Sequence, residues 1–493
     1  MVSAVFKTLP PLLAMFMAMS SALPAARGND EHCVGTEADL GTKPILSDPY
    51  PRAAAGWGLQ FDNGRMASRW AEDWTRLTAD PCALEMKSAA LGDDTDLAFS
   101  TELRLREVLT QNAGLVAGAD MSQAQLRAIL GANLRLSPHL RLFGEVGSGQ
   151  VNGDRARASA NFQNQAAIQQ LFADVRGMHG ALLIGAMFGR QEFADGPIQL
   201  ISLSDGPNLH RSWNGVRTYL HEQRYRIGAF ELRATRLAPD AFDDGVQPEG
   251  ILRGINASFI ISTGEESNTY IDPFWYHTET PGFRLGAESG LDQRNSHGLR
   301  LWGRKGALRW DWTAVRQAGR TLGNKSIRAW AFFAVQSLSL SEDGWKPRLT
   351  SHIDFASGNG MTNDHALQTF HPVYASSSYL GESQILGLSN LFMVAPGLAL
   401  TPGRDATFAL EFGHARRLDT GDAVYAGGMR PYAETRGIPG RHIGNLARFA
   451  AKWTPSDILS LHFNLEHLSA SRALRKAGLR ASTQAQFTTT YRY

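Results

Sequence analysis

Hydrophobic and polar residues alternate with a period of two along most of the chain after residue 97. In residues 97–106, Leu97, Phe99 and Leu105 occupy odd positions, whereas the even positions include charged side chains. The same pattern recurs in residues 125–136, 140–146, 308–316, 327–336, 349–355 and 459–467. Segments of about 10 residues with one apolar and one polar face are typical of a membrane β-barrel with a wet lumen. A soluble β-sandwich also alternates, but it has no particular need for Arg, Glu and Asp together in successive strands.

Short turns and long polar segments also alternate along the chain. Short turns are predicted at residues 137–139, 177–180, 222–225, 263–267, 304–306, 341–345, 402–405 and 454–457. Long segments rich in Gly and polar residues lie between them, at 147–167, 194–211, 356–382 and 414–444. Outer-membrane barrels have short turns on the periplasmic side and long loops outside. The pattern therefore predicts an all-β fold, a transmembrane antiparallel barrel of about 18 strands enclosing an aqueous channel.

The two ends of the chain carry further marks of an exported barrel. Lys7, an apolar stretch at residues 12–19 and small residues up to Ala26 predict a secretory signal peptide over residues 1–26. A membrane anchor is disfavoured, because the apolar run is short and interrupted by proline. Residues 487–493 alternate and end on Tyr493, as in the final strands that barrel-assembly machinery receives. We therefore expect residues 97–493 to form a barrel surrounded by outer-membrane lipids and lipopolysaccharide.

Residues 27–96 differ from the rest, because they are mixed polar, repeatedly interrupted by proline and without sustained alternation. We interpret this N-terminal segment as periplasmic or as a plug in the lower lumen, and leave the two possibilities open. Cys33 and Cys82 lie within it, and an oxidising periplasm favours a disulfide between them. His32 stands where a lipoprotein signal needs a small residue, so Cys33 is not expected to carry a lipid anchor.

Composition narrows the function classes. The net charge is only +2, which argues against a nucleic-acid partner, although 41 of the 49 basic residues are Arg. No signature of a zinc protease, a dinucleotide-binding loop or a serine nucleophile elbow has the required spacing. We therefore expect no enzymatic activity, no cofactor and no metal.

The charged residues on the polar strand faces are the candidate functional residues. They comprise Glu102, Arg104, Arg106, Arg127, Arg135, Arg141, Glu145, Asp174, Arg176, Arg190, Glu192, Arg300, Arg309, Asp311, Arg328, Arg348 and Asp354. Arginines outnumber carboxylates in this set by 11 to 6. Pairing across the lumen would stiffen the wall, whereas surplus Arg would line a pathway for an anionic solute. The residues alone leave both interpretations open.

Several motifs are similar to those of the alginate-export family of outer-membrane barrels. They are residues 188–192 (FGRQE), 205–217 (DGPNLHRSWNGVR), 346–349 (KPRL), 354–358 (DFASG) and 369–374 (TFHPVY), with 72–74 (EDW) upstream. The resemblance spans about residues 70–493. It implies a barrel of about 18 strands that carries an acidic polysaccharide through an Arg-lined constriction. By the motif, Arg190, Glu192, Arg211 and Arg217 belong to that wall or brace it.

Together these observations predict the pore-lining residues Glu102, Arg104, Arg106, Arg135, Arg141, Asp174, Arg190, Glu192, Arg211, Arg217, Arg348 and Asp354. The leading hypothesis is passive passage of an anionic solute, with an acidic, alginate-like polysaccharide as the expected cargo and export as the expected direction. A general porin that imports small anions is the first alternative. An outer-membrane enzyme or a structural barrel is the second. The sequence does not separate export from import.

Overall fold

The computed structural model describes residues 68–72, 88–92, 94–154, 159–196, 198–286, 288–360, 365–376, 378–403, 405–456 and 458–493. The predicted signal peptide and the Cys33–Cys82 pair lie outside these residues. Among the described helices, none is long and apolar enough to cross a membrane.

Eighteen long antiparallel strands, numbered here β1 to β18, make up the fold. The first nine are β1 Asp96–Gln111, β2 Met121–Ser137, β3 Leu140–Gly153, β4 Asn164–His179, β5 Leu182–Glu192, β6 Ser212–Glu222, β7 Tyr225–Arg236, β8 Gly245–Ser262 and β9 Ser267–Leu285. The second nine are β10 Glu288–Lys305, β11 Leu308–Thr321, β12 Lys325–Ser339, β13 Arg348–Ala356, β14 Leu391–Leu400, β15 Ala406–Arg416, β16 His442–Ser456, β17 Leu459–Ala470 and β18 Ser482–Arg492. The short strands Ser88–Ala90, Ala366–Leu367, Val424–Ala426 and Arg430–Tyr432 and the helix Arg472–Lys476 lie outside this set.

Pairing of the first strand with the last closes the sheet into a barrel. The β1–β18 register runs from Glu102 opposite Arg492 to Gln111 opposite Thr483. Closure leaves no unpaired barrel edge, which a membrane requires because lipid offers backbone groups no hydrogen bonds. The structure thus confirms both the barrel and its predicted size of about 18 strands.

All eight predicted short turns join consecutive strands at one end of the barrel. We take this end as periplasmic, as in other outer-membrane barrels. The longest connections, residues 193–211, 357–390 and 417–441, lie at the other end. Two connections at that end are nevertheless short, at residues 286–287 and 322–324.

The alternation sorts side chains between lipid and lumen as predicted. Along β1, Phe99, Leu105 and Leu109 are exposed on the outer surface, and Leu105 is 52 % exposed. Glu102 and Arg104, on the opposite face, are buried inside the barrel. Because side chains in a strand point alternately to the two faces, every second residue is lipid-facing.

The apolar core lies inside the barrel rather than between two layers of secondary structure. Inward side chains of β7 to β12, including Phe230 and Phe333, pack with Ile201 and Phe370 of the long loops. The described parts of residues 193–211 and 357–390 therefore fold into the lumen and cover this part of the wall. The lumen is narrowed by its own loops.

Candidate functional site

Eleven of the twelve predicted pore-lining residues lie inside the barrel. Inward rows hold Glu102, Arg104 and Arg106 of β1, Arg135 of β2, Arg141 of β3, Asp174 of β4, Arg217 of β6, and Arg348 and Asp354 of β13. Glu192 ends β5 and Arg211 ends the next loop, and both contact groups inside the barrel. Most of these side chains are buried against the loops, whereas Arg135, Arg211 and Arg348 are partly exposed.

The prediction that Arg190 lines the pore is wrong. Arg190 continues the outward row of Ile184 and Phe188, whose side chains are 44 % and 48 % exposed. Its Nε donates to Asn214 Oδ1 at 3.0 Å, and Nη1 lies 3.8 Å from Oδ2 of Asp244 in a loop. Arg190 therefore belongs to the outer surface near the extracellular rim.

Arg328 was also expected on the inward face, and it also faces outward. It shares its row on β12 with Trp330 and Phe332, which are 48 % and 38 % exposed. Beyond the apolar band of a barrel, the outward face becomes polar. A charged residue near the end of a strand therefore does not by itself indicate that its side chain faces the lumen.

Residues 193–211 are fastened to an arginine cluster on β1 and β2. Arg104 donates to Asp205 Oδ1 at 3.1 Å and to the Pro207 carbonyl oxygen at 2.6 Å. Arg127, directly opposite Arg104 in the register, donates to Asp205 Oδ1 at 2.6 Å. The Asp205 side chain remains 63 % exposed, so this attachment lies at the surface of the lumen.

His210 completes the attachment from the other end of the same loop. Its Nδ1 lies 2.5 Å from Glu192 Oε1, and its Nε2 lies 2.7 Å from Asp205 Oδ1. Burial alone would lower the pKa of His210, but Glu192 and Asp205 raise it to about 9. His210 is therefore a cation at neutral pH and holds two carboxylates together.

Residues 357–390 are fastened to a different part of the wall. Glu466 of β17 accepts hydrogen bonds from the backbone N–H groups of Glu382 and Ser383, at 2.6 and 3.0 Å, and from Ser383 Oγ at 2.5 Å. The Tyr379 hydroxyl donates to Asp354 Oδ1 at 2.7 Å. Charge-assisted hydrogen bonds of this kind are about twice as strong as neutral ones.

The two inward loops also contact each other. The Ser202 N–H donates to the Tyr374 carbonyl oxygen at 3.0 Å, and the Tyr374 N–H donates to the Leu200 carbonyl oxygen at 2.9 Å. The Arg211 guanidinium lies 4.7 Å from the centre of the Tyr374 ring, within cation–π distance. The loops thus form one inner layer attached to both sides of the barrel.

Arg106 lies where the two loop tips approach each other. Its Nε donates to Thr488 Oγ1 at 3.3 Å, and its Nη1 donates to the Gly206 carbonyl oxygen. Both acceptors are neutral. Burial raises the pKa of Glu382, and the charge of Arg106 acts against that shift. Among the described residues Arg106 forms no ion pair with a carboxylate, and its side chain is buried where the loops constrict the lumen.

A second group of cations lies at the periplasmic end of the barrel. It comprises Arg304 of β10, Arg309 of β11, Arg348 of β13 and Lys452 of β16, and we call it the periplasmic ring. All four are on inward rows, and all are exposed or half-buried. Within the described part of the chain, none of the four forms an ion pair with a carboxylate. Such a ring attracts anions to the mouth of a pore.

Several residues of the site were not predicted from the sequence. Arg448, Glu466 and Arg492 lie on inward rows, and the period-two pattern of their strands could have identified them. His210 is part of a family motif but has no periodic signal. Arg69, which pairs with Glu102 and Glu145, lies upstream of the barrel in a segment without alternation. In the residues that the structure describes, no group of three His, Cys, Asp or Glu side chains is arranged to bind a metal.

Solved structures share the architecture at low sequence identity. Pseudomonas aeruginosa OpdQ has 10 % identity and a TM-score of 0.52, with 82 % of this chain and 99 % of that chain covered. Pseudomonas aeruginosa OccK2 (OpdF) in complex with glucuronate has 11 % identity and a TM-score of 0.52, covering 80 % and 97 %. Acinetobacter baumannii OccAB1 has 10 % identity and a TM-score of 0.52, covering 83 % and 99 %. No curated protein sequence matches the chain.

The sequence match to a family covers most of the chain. The family model described as alginate export matches residues 95–488, from the start of β1 into β18. The closed barrel and the match to the alginate-export family place the protein in the outer membrane. This outer-membrane channel belongs to the alginate-export family.

Proposed function

We propose that the barrel conducts an anionic solute passively, and that this solute is an acidic polysaccharide leaving the cell. The observation that carries the proposal is the periplasmic ring, whose four cations face the lumen without ion pairs to described carboxylates. A cluster of one charge sign at a mouth raises the local concentration of the opposite ion and its rate of entry. The ring would therefore favour entry of anions from the periplasm.

The constriction is compatible with the same solute. Arg106 hydrogen-bonds only neutral acceptors among the described residues, and Arg104 and Arg127 share the exposed carboxylate of Asp205. Guanidinium groups bind carboxylates through a planar fork and stay charged at every physiological pH. A uronate unit passing the constriction would meet fixed positive charge that needs little rearrangement. We propose a channel rather than an enzyme on this basis.

Uptake of a small anion is the second candidate. Two of the similar structures are Pseudomonas aeruginosa OccK2 (OpdF) in complex with glucuronate and OpdK with vanillate, which has 13 % identity and a TM-score of 0.50. Both ligands are carboxylates. Likeness at this identity concerns the fold, so it motivates this alternative without setting the direction of transport.

Planar bilayers test the charge preference directly. Under a salt gradient, the reconstituted protein should give a reversal potential of anion-selective sign that weakens as salt screens the wall. Arg348→Glu should move the potential toward cations. Arg328→Glu makes the same charge change on the outward face and should leave the potential unchanged. A cation-selective wild-type channel would contradict the proposal.

The direction of transport requires a second measurement. A defined oligouronate added to one side at a time should block single-channel current with a faster on-rate from the periplasmic side. Neutralising Arg309 and Lys452 should remove that difference. Equal on-rates from both sides in the wild type would contradict the proposal that the solute is exported. Saturable passage of glucuronate with no interaction of the oligouronate would favour small-anion uptake.

A further inference from the structure

A segment from outside the barrel lies inside it. Residues 68–72, here called the lumen segment, precede β1 and include a short 3₁₀ helix, Arg69–Ala71, that is completely buried. The segment contacts inward residues of β1, β3, β4 and β5. The sequence left two possibilities for the N-terminal segment, a periplasmic position or a plug in the lumen. Part of that segment therefore lies in the lumen.

Arg69 pairs with two carboxylates of the barrel wall. Its Nε donates to Glu145 Oε2 at 2.6 Å, and its Nη1 donates to Glu102 Oε2 at 2.9 Å. The side chains of Arg69, Glu102 and Glu145 are at most 4 % exposed. Burial alone would lower the pKa of Arg69, but Glu145 and Glu102 raise it well above its ordinary value. Part of the negative charge of this wall is thus balanced by a residue that the barrel itself does not supply.

The two carboxylates depend on Arg69 to different degrees. Glu102 also pairs with Arg127, and Arg492 Nε lies 3.5 Å from its Oε2. Glu145 has one further described contact, the neutral amide Nε2 of Gln170 at 3.3 Å. Among the described residues, Arg69 is the cation that pairs with Glu145. Loss of Arg69 would therefore leave Glu145 without a counter-charge.

Apolar packing and further polar contacts hold the lumen segment in place. Trp70 is 0 % exposed, and its ring meets the Phe172 ring edge-on at 6.0 Å. The Arg217 guanidinium lies 5.0 Å from the Trp70 ring centre, within cation–π distance. Arg492 donates to Glu72 at 2.8 Å. A buried aromatic ring of this size contributes a large apolar area to the packing that holds the segment in place.

We propose that Arg69 is a selectivity-determining residue supplied by the N-terminal segment. Glu102 and Glu145 lie beside Arg104, Arg106 and Arg127, and Arg69 raises the net charge of this group of side chains from +1 to +2. Without Arg69, Glu145 faces the lumen as a carboxylate, and Glu102 takes a larger share of the charge of Arg127. Cations then enter more easily. The inference deepens the proposed anion passage and rests on it for its biological meaning.

Charge-neutralising substitutions, made singly and as a pair, test the proposal. In planar bilayers at pH 7.5, Arg69→Gln should shift the reversal potential toward cations, and Arg69→Lys should not. The double variant Arg69→Gln/Glu145→Gln should return the potential toward the wild-type value. Arg328→Gln, which removes an outward arginine, is the matched control. Slower migration of boiled than of unheated protein on gels shows that each variant has folded.

The outcomes distinguish an effect of the Arg69 charge from steric blocking of the lumen by the lumen segment. If the lumen segment only blocks space, Arg69→Gln raises conductance with unchanged selectivity, and the proposal is overturned. Identical shifts in the single and double variants would overturn it as well. Should Arg69→Gln fail to fold, Glu145→Gln alone leaves Arg69 in excess and must shift the potential toward anions. A cation-selective wild type defeats the proposed function, yet the direction of the Arg69→Gln shift still decides this inference.

Discussion

His210 makes the attachment of residues 193–211 dependent on pH. The imidazole lies between Glu192 and Asp205, with a side chain only 3 % exposed. Its pKa rises from 6.5 to about 9. A shift of that size corresponds to about 3 kcal/mol of stability, at about 1.4 kcal/mol per pKa unit. Burial of His210 and Glu192 keeps solvent screening of that pair small, whereas the exposed Asp205 carboxylate is screened more strongly.

The direction of the pH dependence follows from whether the folded or the unfolded state binds the His210 proton more tightly. The folded protein holds the His210 proton up to a higher pH than the unfolded chain does. The stabilisation is therefore fully present below about pH 6.5 and disappears as pH rises through about 9. Above that pH, a neutral imidazole leaves the Glu192 and Asp205 carboxylates without their shared cation.

Urea unfolding in detergent micelles between pH 6 and pH 10 measures this effect. His210→Asn removes the titrating group, and it should cost about 3 kcal/mol at pH 6. The difference in unfolding free energy between wild type and variant should decline to near zero by pH 10. Comparing the two proteins at each pH cancels the titration of Lys and Tyr side chains elsewhere. Parallel pH profiles for the two proteins would refute the reasoning.

Two further predictions concern the second loop and the N-terminal segment. Glu466→Gln should weaken three hydrogen bonds to residues 382–383 and cost about 1–3 kcal/mol locally, seen as more current fluctuation and faster proteolysis within residues 376–384. Glu107→Gln, on the exposed outer face of β1, is its control, and equal proteolysis of both variants would argue against the anchor. The exported protein should begin near Arg27 and contain a Cys33–Cys82 disulfide, and non-reduced peptide mass spectra showing both thiols free would reject the pairing.

The alternation and the spacing of the turns were sufficient to predict the barrel, its turns and most of its inward rows. A strand has a period of two, so the alternation through Glu102 and Arg104 assigns each side chain to lipid or lumen once one face is known. The same rule, applied strictly, would have placed Arg190 with Phe188 and Arg328 with Trp330 on the outward rows. The family motif and the preference for polar residues inside outweighed it there, and the result was wrong.

The tertiary structure alone decided how the lumen is filled and how its charges are balanced. Asp205 meets Arg104 and Arg127 about 80 to 100 residues away in sequence, and Glu466 meets Ser383 about as far away. Arg69 reaches Glu145 from a segment with no periodic pattern. Loops and segments without regular hydrogen bonding carry no repeating pattern, so their positions follow from which distant charges can pair inside a closed barrel. That pairing depends on the curvature and register of all 18 strands, which no local stretch of sequence contains.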